Sequence, residues 1–128
     1  MVKLQKRAAR IITDSPWDAP SKPLFDALGI TPFPERVKKS KAKLMFKALN
    51  NLAPDYVTSK FKKFKQVHNI CTRNSNHNLV LPKVKSNFGK RTFSFSGAKL
   101  WNHLPTEMKL CTTLISFKNK VNNSKLTD

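Results

Sequence analysis

The sequence predicts a mainly α protein: a small helical domain with a short two-stranded β-hairpin. Apolar residues recur at steps of three and four along most of the 128 residues, as they do on one face of a helix. Prolines and glycines divide this pattern into short segments. In residues 92–96, serine and threonine alternate with two phenylalanines, which is the period of a strand.

The N-terminal residues predict a basic amphipathic helix over Val2–Ile12, followed by a turn-rich connection. Its apolar positions fall on one stripe, and lysines and arginines fill the other face. Trp17 is the expected anchor of the connection. Pro23 then suits the first position of a short helix that ends at Gly29 in the left-handed conformation.

Two further helices are predicted over residues 35–52 and 55–65, the second opened by Pro54. The first has an apolar stripe, and most of its basic residues lie off that stripe. The stripe consists of Val37, Leu44, Met45, Ala48, Leu49 and Leu52.

Residues 66–78 have no hydrophobic period and predict a loop between a basic helical part, residues 1–65, and a C-terminal part, residues 79–121. In the C-terminal part, residues 79–82 predict an edge strand, and a turn at 86–89 pairs it with the strand that begins at Lys90. A short helix, a helical turn after Pro105 and a terminal helix capped by Thr112 or Thr113 follow. The predicted core residues are Phe93, Phe95, Leu100, Trp101 and Leu104; the alternative for these aromatic rings is stacking on a nucleic-acid base.

The charge of the chain predicts a polyanionic partner. Twenty-five Lys and Arg residues against seven Asp and Glu give a formal charge of +18, and such self-repulsion is relieved by nucleic acid or by an acidic protein. An anionic membrane surface is the weaker alternative. Ten of residues 36–65 are basic and one, Asp55, is acidic, so a phosphate-binding face is favoured over simply solvated lysines. The expected phosphate contacts are Arg36, Lys38, Lys39, Lys43, Lys47, Lys62, Lys63, Lys90 and Arg91.

The sequence predicts no catalytic site, metal or cofactor. Its acidic residues are scattered, whereas two-metal chemistry needs clustered carboxylates. His68, Cys71 and His77 lie near one another, but a structural zinc site needs four ligands in paired spacing. The two cysteines, Cys71 and Cys111, are expected to be free thiols. Without a transmembrane or signal segment, the expectation is an intracellular protein that is not secreted, with the nucleus among its compartments.

Five ordered stretches carry a family resemblance. Residues 91–105, R-T-F-S-F-S-G-A-K-L-W-N-H-L-P, resemble the "R-S-F-S-x-x-G-x-K-L-W-N-x-L-P" signature near the C-terminus of reverse transcriptases from LINE-type, jockey-like non-LTR retrotransposons. Residues 4–12 resemble the "L-Q-K-R-A-A-R-I-I" segment that follows the polymerase palm in this family. Residues 51–56 and 72–75 resemble its "G-L-A-P-x-Y" and "T-R-S-S", and residues 113–120 resemble its closing "S-L-x-S-F-K-x-K".

The resemblance implies the post-palm region of an RNA-directed DNA polymerase, a part that helps to hold template RNA and target DNA. The expected function is therefore a non-catalytic fragment that binds RNA or DNA without sequence specificity and, in relatives, contacts the rest of the polymerase chain. The start at Met1 and residues 30–34, which replace a "W-L-P-L"-like segment, suit a truncated copy. The alternatives are a fragment that binds acidic proteins and an inert retroelement remnant.

Overall fold

The computed structural model describes residues 1–67, 77–124 and 126. The described chain is helical and divides into two compact units, Met1–Lys38 and Lys39–Asp128. The helices, in chain order, are α1 Val2–Ile12, α2 Ser21–Ala27, α3 Phe33–Leu49, α4 Asp55–Thr58, α5 Phe64–Val67, α6 Phe93–His103, α7 Thr106–Lys109 and α8 Leu114–Asn123, with a 3₁₀ turn at Gly89–Arg91 before α6.

In the first unit, α1 packs against α2, and the buried side chains include Ala9 and Phe25. Both helices end in a left-handed residue, Asp14 at φ 49° and Gly29 at φ 62°. After each one, the next amide donates to a carbonyl five residues back, Ser15 N to Arg10 O and Ile30 N to Phe25 O, at 2.9 Å in both cases. These are Schellman ends, and Gly29 takes this conformation without a Cβ penalty.

The core of the second unit is aromatic. The rings of Phe46 in α3 and Phe117 in α8 stack at 4.5 Å, and Trp101 in α6 lies 6.0 Å from Phe117. Phe61 meets Phe93 edge to face at 5.5 Å. The buried cluster contains Ala42, Met45, Phe46, Leu79, Ala98, Trp101, Leu104, Met108, Phe117 and Val121.

Gly97 allows α6 to approach α3 closely. A Cβ added at Gly97 would lie 2.8 Å from Met45 Sδ and 3.2 Å from Phe93 Cε2. Any side chain at this position therefore competes with Met45 for space. The glycine of the 91–105 stretch is explained by this helix crossing.

The predicted β-hairpin is wrong. Residues 93–96 begin α6, and within the described residues the one extended pairing is an isolated antiparallel bridge between Lys63 and Leu79. Phe93, Gly97 and Trp101 lie four residues apart and continue the helical period of α6 to its start, so the short alternation at 92–96 was misleading. The mainly α class is confirmed.

The predicted bounds of the first helix and the predicted cap of the last helix were accurate. Val2–Ile12 is confirmed, as is the terminal helix, whose N-cap Thr113 accepts a hydrogen bond from Ser116 N. The helix predicted over 55–65 is wrong, because the described chain has two short helices, α4 and α5, separated by a turn at residues 59–60 and by the bridge residue Lys63. Pro23 is the third residue of α2, not the first.

The end of α3 and its buried face also differ from the prediction. The helix ends at Leu49 instead of residue 52, since Asn51 takes the left-handed conformation and Leu52 N donates to Lys47 O at 2.8 Å. Its buried face contains Ala42 and Phe46 beside Met45 and Ala48, whereas the predicted stripe members Leu44 and Leu52 are exposed.

Candidate nucleic-acid interface

The positive charge is concentrated in the second unit. Of the 25 basic residues, 18 lie in Lys39–Asp128, together with three of the seven acidic residues. This unit therefore carries +15 of the formal +18. A surface with so few interspersed carboxylates generates a positive potential that attracts polyanions.

Two of the predicted phosphate-binding lysines of α3 hold the C-terminal end of α8. Lys39 Nζ donates to Asn122 O at 2.9 Å, and Lys43 Nζ donates to Asn122 Oδ1 at 2.8 Å. Carbonyls in the last turn of a helix lack intrahelical donors and carry partial negative charge, so lysines are favourable partners there. Both ammonium groups remain at the surface, since these hydrogen bonds are solvent-exposed.

Other lysines of the second unit have structural contacts. Lys41 Nζ donates to Ser96 Oγ at 3.2 Å, which joins α3 to α6. Lys109 Nζ donates to Asn78 Oδ1 and to Asn102 O, both at 3.0 Å, and burial lowers its pKa. Lys120 Nζ donates to Glu107 O at 3.1 Å. Sequence patterns gave no signal that would distinguish these lysines from the phosphate-binding candidates.

Lys62 and Lys63 are exposed and lie where residues 62–64 run antiparallel to residues 78–80. Val80 N donates to Lys62 O, and Phe64 N donates to Asn78 O, each at 2.9 Å. These backbone hydrogen bonds therefore fix the main chain at Lys62 and Lys63. Lys63 also borders a small cavity of about 80 Å³ beside Trp101 and Lys109.

Lys90 and Arg91 are exposed in the 3₁₀ turn that leads into α6. Thr92 is the N-cap of α6, but its hydroxyl donates to Gly89 O at 2.6 Å and does not cap the helix. The partial positive charge of this helix end therefore adds to two full charges. Anionic groups are favoured at such a position.

The remaining predicted residues are in different environments. Arg36 is exposed, Lys38 and Lys47 are half-buried, and Arg36 and Lys38 belong to the first unit. Trp101 and Leu104 are buried, and Phe93 and Leu100 pack partly buried against the same cluster. Phe95 is half-buried.

The 91–105 stretch organises the residues around Trp101. The indole Nε1 donates to His77 O at 2.9 Å, while the neighbouring Asn102 bonds both backbone groups of Leu79. The role of Asn102 was not predicted. An asparagine next to a core tryptophan is only a weak signal for such a contact.

Two negative findings apply to the described part of the chain. It contains no group of three or more His, Cys, Asp or Glu side chains arranged to hold a metal ion. Of the zinc-ligand candidates, His68 and Cys71 lie outside the described residues. Among the described helices, none combines the length and the apolar character needed to cross a membrane.

The chain has no significant match among protein-family models, curated proteins or solved structures.

Proposed function

We propose that this protein is a non-catalytic, sequence-non-specific RNA- or DNA-binding fragment of a LINE-type non-LTR retrotransposon reverse transcriptase. The observation that carries the proposal is the +15 charge of the second unit on a surface that includes Lys62, Lys63, Lys90 and Arg91. The order of the five sequence stretches supports the family. The chemistry of the exposed groups supports the ligand, because lysine and arginine donors bind phosphate oxygens.

The distribution of acidic residues supports a non-catalytic role. The carboxylates of the second unit are Asp55, Glu107 and Asp128, which are far apart in sequence. Asp55 and Glu107 are exposed at the starts of two separate short helices, α4 and α7. Polymerase and ribonuclease-H chemistry needs several carboxylates close together that bind two metal ions in one site. Primed template, nucleotides and magnesium should give no extension with this chain, and extension that survives repurification would contradict the proposal.

Contacts to phosphates carry no base information, so affinity should depend strongly on salt and little on sequence. Each phosphate neutralised contributes about −0.9 to the slope of log affinity against log salt on duplex DNA and about −0.7 on single strands. Lysines and arginines on fixed backbone, such as those next to the 62–64 and 78–80 pairing, lose little main-chain entropy on binding.

The test is a salt titration of RNA binding by the triple variant Lys62→Gln, Lys90→Gln, Arg91→Gln. These side chains are exposed, so the fold should be retained, and the slope should flatten by about two to three units. The charge-matched control is Lys83→Gln, Lys85→Gln, Lys118→Gln, which removes three other exposed charges of the same unit. Equal flattening in both variants would show that net charge, not these residues, determines binding.

A second arm of the experiment separates nucleic acid from an acidic protein. The parent protein is titrated with single-stranded RNA and with polyglutamate of similar length at the same ionic strength. Tighter binding to RNA supports the proposal. Binding to polyglutamate at least as tight as to RNA would favour an acidic-protein partner.

A further inference from the structure

Trp17 does not anchor the turn-rich connection that follows α1, contrary to the sequence prediction. Its side chain is 86% exposed. It borders an open cleft of about 630 Å³, which is lined by Arg7, Arg10, Ile11, Asp14, Ser15 and Trp17. An exposed indole ring can contribute binding energy when a ligand covers it. The residues around Trp17 indicate which class of ligand would fit.

The backbone holds Trp17 in place. Ala19 N donates to Pro16 O at 3.1 Å, which closes a turn with Trp17 at its second position. Arg10 Nε donates to Ala19 O at 3.0 Å, so a side chain of α1 ties this turn to the helix. An exposed ring on a fixed turn is a preorganised contact surface, which limits the entropy lost when a ligand binds.

The cleft lies on the basic side of α1. Arg7 and Ile11 lie four residues apart and Arg10 lies three residues from Arg7, so these side chains share one sector of α1. Asp14, just beyond the end of the helix, lines the same cleft. Of the exposed aliphatic residues of α1, Leu4 and Ile12 lie outside the cleft, whereas Ile11 lines it. Trp17 therefore borders two guanidinium groups and one aliphatic side chain, whereas an aromatic anchor for a lipid surface would adjoin a wholly aliphatic face.

We propose that this cleft, the Trp17 cleft, is a stacking subsite for one base of a single-stranded nucleic acid. The base stacks on the Trp17 indole, and Arg7 and Arg10 contact the flanking phosphates. Asp14 accepts a hydrogen bond from a base N–H group, which every base carries, and its negative charge repels any further phosphate near it. The inference rests on the proposed function and adds to it, because the charged surface of the second unit does not distinguish single strands from duplexes.

Single strands are favoured because a base in a duplex is already stacked on both faces. The cleft volume is within the range of about 300–1,000 Å³ that small-ligand sites occupy. Stacking on an aromatic side chain tolerates any base, since every base has a π-face. The subsite is consistent with binding that lacks sequence specificity.

Intrinsic fluorescence provides the first test. The chain has two tryptophans; Trp101 is 4% exposed and Trp17 is 86% exposed, so the difference spectrum between the parent and Trp17→Phe reports Trp17. Single-stranded oligouridylate should quench this emission and shield it from acrylamide. An abasic oligodeoxynucleotide of the same length and charge should leave it unchanged.

Affinity measurements provide the second test, with a matched pair of substitutions. Trp17→Leu keeps an apolar side chain but removes the π-face, whereas Trp17→Phe keeps a π-face. Trp17→Leu should weaken binding to the base-bearing oligonucleotide about 5- to 100-fold, the range expected for one stacked base, and leave binding to the abasic one unchanged. Trp17→Phe should restore most of the loss, and Ile12→Ala, an exposed α1 position outside the cleft, should bind as the parent does.

The outcomes separate the inference from the proposed function. If the parent binds both oligonucleotides with a salt-dependent affinity and Trp17→Leu binds them equally well, the subsite is disproved while the proposed function remains. If the parent binds neither, both are overturned. If Trp17 emission shifts to the blue with phosphatidylserine vesicles and does not respond to oligonucleotides, the surface binds lipid and the inference is wrong.

Discussion

The carboxamide of Asn102 binds both backbone groups of Leu79. Leu79 N donates to Asn102 Oδ1 at 2.8 Å, and Asn102 Nδ2 donates to Leu79 O at 2.9 Å. Leu79 is 2% exposed, so water does not replace these bonds easily. A side chain of α6 thus provides the donor and acceptor that a neighbouring strand would otherwise provide.

Asn102→Ala is predicted to destabilise the protein by about 2–4 kcal/mol, because it leaves a buried N–H and a buried C=O without partners. Urea unfolding measures this as a lower midpoint. The control is Asn119→Ala, an exposed asparagine in α8, which should change stability by less than about 0.5 kcal/mol. Equal midpoints for the two variants would contradict the role assigned to Asn102.

The same contact explains why the hairpin was predicted wrongly. The pattern at residues 79–82 is that of an extended edge segment, and Leu79 is indeed extended and paired in a bridge with Lys63. The partner of its backbone on the other side is a single side chain 23 residues away. Local periodicity contains no information about such a partner, whereas the long helical periods of α1, α3 and α8 are local and were predictable.

For the candidate site, the sequence was enough to predict that basic residues form it. It was not enough to predict which of these residues face solvent and which contact another helix. Ten basic residues between positions 36 and 65 indicate a polyanion partner. Whether an individual lysine faces solvent or another helix depends on tertiary contacts, such as that of Lys43 with Asn122. Trp17 was expected to anchor the turn-rich connection after α1, because tryptophan is highly buried on average. Its position on a turn beside two arginines reverses that expectation.

Gly97→Ala is predicted to destabilise the protein by about 1–3 kcal/mol, although alanine is the better helix former by about 1 kcal/mol. The added methyl would lie 2.8 Å from Met45 Sδ, and Met45 is fully buried. Thermal melting of Gly97→Ala, alone and combined with Met45→Ala, measures the coupling. The double variant should lose less than the sum of the two single variants, and strict additivity would show that Met45 is not the obstacle.

Lys109 is predicted to make stability rise with pH in the alkaline range. Burial lowers its pKa below the ordinary value of 10.5, so between the folded-state pKa and 10.5 the unfolded chain binds more protons than the folded chain. Stability then increases with pH across that window, and the cost of the buried charge returns as pH falls through the folded-state pKa. The free energy of unfolding of the parent minus that of Lys109→Gln should therefore grow as pH rises towards 10.5. A difference that is flat or falls over this range would contradict the assignment.

Lys39 and Lys43 are predicted both to stabilise the protein, through their hydrogen bonds to Asn122, and to bind RNA phosphates. Different substitutions separate these two roles. Asn122→Ala removes the Oδ1 that accepts from Lys43 Nζ at 2.8 Å but leaves the lysine charge in place. It should destabilise the protein by about 0.5–1.5 kcal/mol while the salt slope of RNA binding stays unchanged.

Lys43→Met keeps the aliphatic stem but removes both the donor and the charge. It should therefore cost a similar amount of stability and also flatten the salt slope by about 0.7–0.9 units for each phosphate contact that is lost. Lys47→Met is the control on the same helix, since Lys47 is half-buried and its ammonium group makes no hydrogen bond to the described residues of α8. It should flatten the slope without lowering the melting temperature. If Lys43→Met melts earlier but retains the slope of the parent, Lys43 serves only to dock α8, and the phosphate-binding surface lies on the exposed groups at Lys62, Lys90 and Arg91.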